Sequence, residues 1–278
     1  MNISKTYPLY LVFGLLFFGI VVTSCEVDEG QILEDRQWQL TWSDEFEGDA
    51  GTAPDPSKWT YDIGRGDNGW GNLELQYYTD NPENVSLDGE GNLVITARRE
   101  TFGGAPFTSA RIKTQGLFAQ AYGRFEARMK TPDGPGVWPA FWMVGENIET
   151  VSWPQCGEID VMELRGQQPN VIAGTLHGPG YFAGESIGAS YSIDGRFDAD
   201  FSIFAVEWGE NYVDFFVDDV LYQRLTPADV TGEWVYNQPF FMLLNVAVGG
   251  SYVGFPTDRT PLPQEMIVDY VRVYEQTN

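Results

Sequence analysis

Over residues 201–225 the chain reads FSIFAVEW, then GEN, then YVDFFV, then DD, then VLYQRL. Apolar runs rich in β-branched and aromatic residues, parted by two or three turn formers, predict consecutive hairpin strands. The same punctuation recurs elsewhere. NLVITARR follows the turn LDGEGN, YGRFEARMK alternates over 122–130, PFFMLLNVAV suits a strand buried on both faces, and MIVDYVRVY comes near the end. From Trp38 onward no helical period of ten or more residues is sustained. No linker or composition break divides 38–278, so one all-β domain of two packed antiparallel sheets is expected, a jelly roll or other sandwich.

The first residues follow a different pattern. Lys5 is the single charge of 1–24, and it precedes the apolar run LYLVFGLLFFGIVV. That run is shorter than the ~18–20 residues of a spanning helix and reads as a secretory signal. It closes on VTSC at 22–25, which resembles a bacterial lipobox. The resemblance implies cleavage before Cys25, a lipid on that cysteine, and an acidic tether over 25–37 ahead of the domain at 38–278. An ordinary signal peptide with an incidental cysteine is the alternative. An exported lipoprotein, anchored in the outer membrane or at the cell surface, is the expectation.

The formal charge of −24 repels nucleic acid and anionic lipid headgroups, and no basic cluster offsets it. Nucleic-acid binding is therefore excluded, and a monomer is expected. With Cys25 lipidated, Cys156 has no disulfide partner. It is either a nucleophile activated by His177, the sole histidine, or a small buried residue beside Gly157; the second is preferred.

Acidic residues are also concentrated inside a strand-like segment, QCGEIDVMELRG at 155–166. Strict alternation would put Glu158 and Asp160 on one face but Glu163 in the core, where a lone carboxylate is costly. One bulge at Val161–Met162 repairs the register. Ile159, Val161 and Leu164 then face the core, and Glu158, Asp160 and Glu163 share the open side. Close carboxylates cannot all ionise cheaply, which suits glycoside hydrolysis, with one ionised nucleophile and one protonated acid. A calcium site or a solvated acidic face is the competing reading. Aromatic residues beside turn formers, Trp138 and Trp142 in GPGVWPAFW among them, offer flat surfaces for sugar rings.

The segment GEIDVMELRG, with LTWSDEFEG, GWGNLELQYYT, TSARIKTQG, YGRFEARMK, GVWPAFWMVG, TLHGPGY, LLNVAVGG and VDYVRVY in this order, resembles glycoside hydrolase family 16, the laminarinase and β-glucanase group. The likeness spans nearly all of 38–278. It implies a concanavalin A-like β-jelly roll with the substrate cleft on a concave sheet. It implies Glu158 as nucleophile, Glu163 as general acid/base and Asp160 as the residue that tunes their protonation. The implied activity is retaining endo-hydrolysis of β-1,3-glucan or mixed 1,3-1,4-glucan, with no cofactor for catalysis. A galactan such as agar or porphyran is the alternative substrate, and an inactive glucan-binding lipoprotein the alternative class.

By the same resemblance Trp138, Trp142 and Trp153 line glucan subsites. Asn72, Glu74 and Arg111 reach sugar hydroxyls, and His177 stands near the acids. Leu73 departs from the Asn that relatives often carry. A structural calcium is implied at Glu47, Gly91 and Asp269. Asp269 is read on the face of Ile267, Val271 and Val273, where it needs a partner; an arginine is the alternative to calcium.

Overall fold

The computed structural model describes residues 36–277; the signal segment, Cys25 and nearly all of the tether lie outside them. Seventeen strands follow in chain order. They begin with β1 (Gln37–Asp44), β2 (Thr60–Asp62), β3 (Gln76–Tyr78), β4 (Val85–Leu87), β5 (Leu93–Ala97) and β6 (Phe107–Ser109). Next come β7 (Arg111–Lys113), β8 (Gly123–Lys130), β9 (Val137–Gly145), β10 (Glu158–Leu164), β11 (Val171–His177) and β12 (Ile187–Ser192). The last are β13 (Ser202–Gly209), β14 (Tyr212–Val217), β15 (Val220–Leu225), β16 (Phe240–Val248) and β17 (Gln264–Thr277). Among the described residues, helical geometry is limited to short turns such as Glu146–Glu149 and Ala183–Glu185.

Two large antiparallel sheets carry the fold. One runs β15-β14-β13-β8-β17-β5-β4, with β1 also on β17; the other runs β12-β11-β10-β9-β16-β7-β2. A two-stranded parallel pair, β3 with β6, stands apart. The inward residues of both sheets share one core, with Phe125, Phe204 and Val271 from the first and Phe141, Ile159 and Leu244 from the second. The hairpins read at 201–225 are β13, β14 and β15, paired in sequence as their turn residues dictate.

Strand β16 explains its own composition. Met242, Leu244, Val246 and Val248 fill the central core, while Phe241 and Leu243 pack on Val144 and Cys156 on the other side. Both faces are covered, so an almost unbroken apolar run is required. This strand and its neighbour β9 form the middle of the sheet that carries the acids.

The structure corrects the reading of Asp269. The register of β17 against β8 shifts between Val268 and Tyr270, and Asp269 occupies that bulge. The extra residue reverses the alternation, so Val271 and Val273 are in the core while Ile267 and Asp269 are half-buried on the outside. Asp269 has its partner there, Arg128 Nη1 at 2.5 Å from Oδ2.

Candidate active site

The bulge expected in β10 is present. Asp160 pairs with Thr175 of β11 and Glu163 with Ala173, so Val161 and Met162 together oppose one residue. On the other side Asp160 pairs with Trp142 and Met162 with Phe141. Both bulge residues are buried in the central core, as are Ile159 and Leu164. Glu158, Asp160 and Glu163 remain on the face turned away from it.

His177, opposite Glu158 at the end of β11, joins this cluster. Its Nε2 lies 3.0 Å from Asp160 Oδ2 and 3.6 Å from Glu158 Oε1. The backbone N–H of Ala183 donates to His177 Nδ1 at 3.1 Å. An Nδ1 that accepts cannot carry the ring proton, so the network assigns that proton to Nε2, facing the acids. Ala183 adopts φ 51°, left-handed for a residue with a Cβ, and this strained turn aims its N–H at the ring. Below the ring, Tyr236 donates its hydroxyl to the His177 carbonyl at 2.9 Å.

Burial is the largest influence on all three carboxyls, pushing Glu158, Asp160 and Glu163 each up to about 8. Asp160 adds to the rise in both glutamates. Opposing groups differ: His177 and the Trp153 indole bear on Glu158, while His177, Trp138 and Arg165 bear on Glu163. The cluster therefore holds protons at neutral pH and can lend or take one.

The flanking strands supply the rest of the surface. Trp138 donates Nε1 to Glu163 Oε1 at 3.0 Å, and Trp142 donates Nε1 to Asn245 Oδ1 at 2.7 Å. Trp153 is 40% exposed, edge-on to Phe182 and 6.0 Å from the His177 ring, so it offers an open aromatic face beside the acids. Arg111 is buried; its Nε lies 2.8 Å from Asp62 Oδ2 and its guanidinium 3.9 Å from the centre of the Trp70 ring. Glu74 is buried as well and takes hydrogen bonds from Gln76 at 2.6 Å, Tyr78 at 3.1 Å and Asn72 at 3.2 Å. Its carboxylate is thus engaged by protein donors, and it braces Asn72. Leu73 is exposed at φ 63°. Asp62 and Asn245 carried no local signal, since their partners Arg111 and Trp142 lie far away along the chain, and Arg165 was not singled out although it stands two residues from Glu163.

Three further groups have the composition of reactive or metal-binding sites. Glu158, Asp160 and His177 are spaced closely enough to hold a metal ion, each giving one atom within 4.8 Å of the others. The Nε2 proton makes His177 a donor here, which suits carboxylate partners and opposes ligation. Cys156 is fully buried, and burial pushes its thiol up to about 11, so it is a packing residue and no nucleophile. At the calcium positions Glu47 and Gly91 are brought together, a Cβ on Gly91 falling 3.8 Å from Glu47 Oε1. Val268, beside Asp269, pairs with Leu93 near that corner. The Asp269 carboxylate, however, gives Oδ2 to Arg128 on the opposite neighbour, β8, so this donor set fits calcium only in part.

Known proteins share both fold and sequence. The chain is 42% identical over 248 residues to a β-glucanase of Rhodothermus marinus, covering 85% of each protein. It is 36% identical over 260 residues to glucan endo-1,3-β-glucosidase A1 of Niallia circulans, matching 85% of this chain but 38% of that longer protein. The laminarinase catalytic domain of Thermotoga maritima superposes with a TM-score of 0.82 at 46% identity, over 87% of this chain and all of that one. The model of the glycosyl hydrolases family 16 matches residues 73–271. With the acid strand, its bulge and the surrounding sheet accounted for, the chain belongs to glycosyl hydrolase family 16.

Proposed function

We propose that the chain is a retaining endo-β-1,3-glucanase of the laminarinase type, with mixed-linkage 1,3-1,4-glucan as a compatible substrate. The carrying observation is the bulged β10, which sets Glu158, Asp160 and Glu163 on one face beside His177 and two indoles. The resemblance to laminarinases and an endo-1,3-glucosidase supports the polymer.

In the proposed reaction the form of the cluster with Glu158 ionised and Glu163 protonated is the reactive one: Glu158 attacks the anomeric carbon while Glu163 gives its proton to the departing glycosidic oxygen. The C–O bond breaks, a glycosyl ester forms on Glu158, and Glu163 is left ionised. Glu163 then takes a proton from water, whose oxygen displaces Glu158 and restores the starting state. Asp160 and the Nε2–H of His177 share the charge beside the nucleophile. Reducing ends are to be measured on laminarin, lichenan and agarose, with early products read by proton NMR. Hydrolysis of the glucans with β-anomer first is expected. No hydrolysis sinks the enzyme reading, α-anomer first sinks the double displacement, and full activity in Glu163→Ala sinks the acid assignment.

The sequence at 1–25 supports export and lipid attachment at Cys25. Mass spectrometry of the exported chain should find diacylglycerol on Cys25; an unmodified Cys25 overturns that reading. A stabilising calcium near Glu47 and Gly91 completes the proposal, with oxygen donors only and no part in the chemistry.

A further inference from the structure

Arg165 is a cation two residues past Glu163, and it does not extend into solvent. Its guanidinium lies on the Tyr252 ring, 4.0 Å from the centroid, and its Nε donates to the Tyr252 carbonyl at 3.1 Å. Gln167 donates to the next carbonyl, that of Val253, at 2.9 Å. Two side chains just beyond β10 thus grip the loop that follows β16. Tyr252 in turn lies against Trp138, with 5.1 Å between centroids, and Trp138 is the donor to Glu163 Oε1. From behind, Gly250 at φ 134° approaches the same indole, so that a Cβ there would come within 3.1 Å of it. Cation, phenol ring, indole and carboxyl form one continuous row of contacts, the two rings tilted at 41° to each other.

We propose that Arg165 and Tyr252 are positioning residues for the general acid: together they clamp the Trp138 indole onto Glu163 and keep a permanent positive charge beside it. The inference rests on Glu163 being the acid/base of the proposed reaction. Among the described residues, the groups that bear on Glu163 come from several elements. Glu158 and Asp160 come from its own strand, His177 from β11, Trp138 from β9 and Tyr252 from the loop after β16. Among these and Arg165, only Arg165 is cationic at every working pH. It favours the ionised form of Glu163 and so opposes the effect of burial. The row of contacts therefore places Glu163 where its proton can be given up near neutrality while its carboxyl stays oriented by one fixed donor.

Arg165→Met removes the charge and keeps the apolar stem, with Arg165→Gln as a second neutral variant should the first fail to fold. Arg165→Lys keeps the charge and loses the planar stack. On laminarin, the alkaline limb of kcat/KM is expected to move up by about 0.5–1 pH unit in the neutral variants. It should stay in place in Arg165→Lys. Tyr252→Leu is expected to lower kcat about tenfold, a loss the ring-preserving Tyr252→Phe largely recovers. A limb in the neutral variants that superimposes on that of the unchanged protein, or moves down, overturns the proposal. A dinitrophenyl β-glycoside of a 1,3-linked glucose disaccharide, whose leaving group needs no proton, separates the two assignments. On it Glu163→Gln should keep kcat/KM, which reports the first step alone, and lose the alkaline limb, while kcat falls because no base serves the incoming water. A limb that persists in Glu163→Gln means the acid itself is misassigned. A limb lost there but unmoved in Arg165→Met overturns the clamp alone.

Discussion

Asp160 lies between the two glutamates with a side chain only 5% exposed, and its neighbour is His177 Nε2 at 3.0 Å. An unfolded aspartate titrates near 3.9, whereas burial lifts Asp160 to about 8. The folded state therefore keeps a proton that the unfolded chain releases between those values. Stability from this group is complete below about pH 4 and falls as pH rises toward about 8. Asp160→Asn should accordingly stabilise the fold by about 1–3 kcal/mol at pH 8 and by almost nothing at pH 4. Urea unfolding at the two pH values measures this, and an equal gain at both would refute burial as the cause. Activity is expected to fall in the same variant, since the stabilising change removes a titrating group from the acid cluster.

At the scale of the strand, β10 tolerates an unusual change because its extra residue is already accommodated. Deleting Met162 restores strict alternation, with three acids outward and Ile159, Val161 and Leu164 inward. The variant should still unfold cooperatively, at a cost of about 2–4 kcal/mol for the lost buried side chain. Deleting Val246 from the regular β16 turns every later side chain of that strand to the wrong face and should abolish the cooperative transition. Thermal unfolding followed by circular dichroism distinguishes them; equal damage from both deletions contradicts the bulge argument. This bulge was legible in sequence because three aliphatics and three acids could not otherwise be sorted onto two faces. The bulge at Asp269 was not, because a partner for Asp269, calcium or an arginine, reconciles strict alternation with Ile267, Val271 and Val273 just as well; only the pairing of β17 with β8 reveals it. The clamp was hidden for another reason: Arg165 and Tyr252 are 87 residues apart, and no local pattern joins them. Nor could spacing foretell that Ala183 would turn its N–H toward His177, since a strained φ is imposed by its surroundings.

At the scale of the whole molecule, the two-sheet architecture was read correctly from turn spacing, since each hairpin closes between sequence neighbours. Glu47 and Gly91, from the segments that follow β1 and precede β5, come together because both strands pair with β17, which is met late in the chain order. A cation held there would tie these three segments. At a calcium concentration about a hundredfold above Kd the fold gains roughly 2.7 kcal/mol, which for a domain of this size raises Tm by about 5–10 °C. Differential scanning calorimetry in calcium and in excess EDTA tests this, and coincident transitions would remove calcium from the proposal.

The pairing of β1 with β17 has a mechanical consequence. Gln37 stands opposite Thr277, and Asp44 opposite Val271, so the described domain begins and finishes at the same end of one antiparallel ladder. A pull applied across those two ends would load the ladder one rung at a time, as a zipper opens, instead of shearing all rungs together.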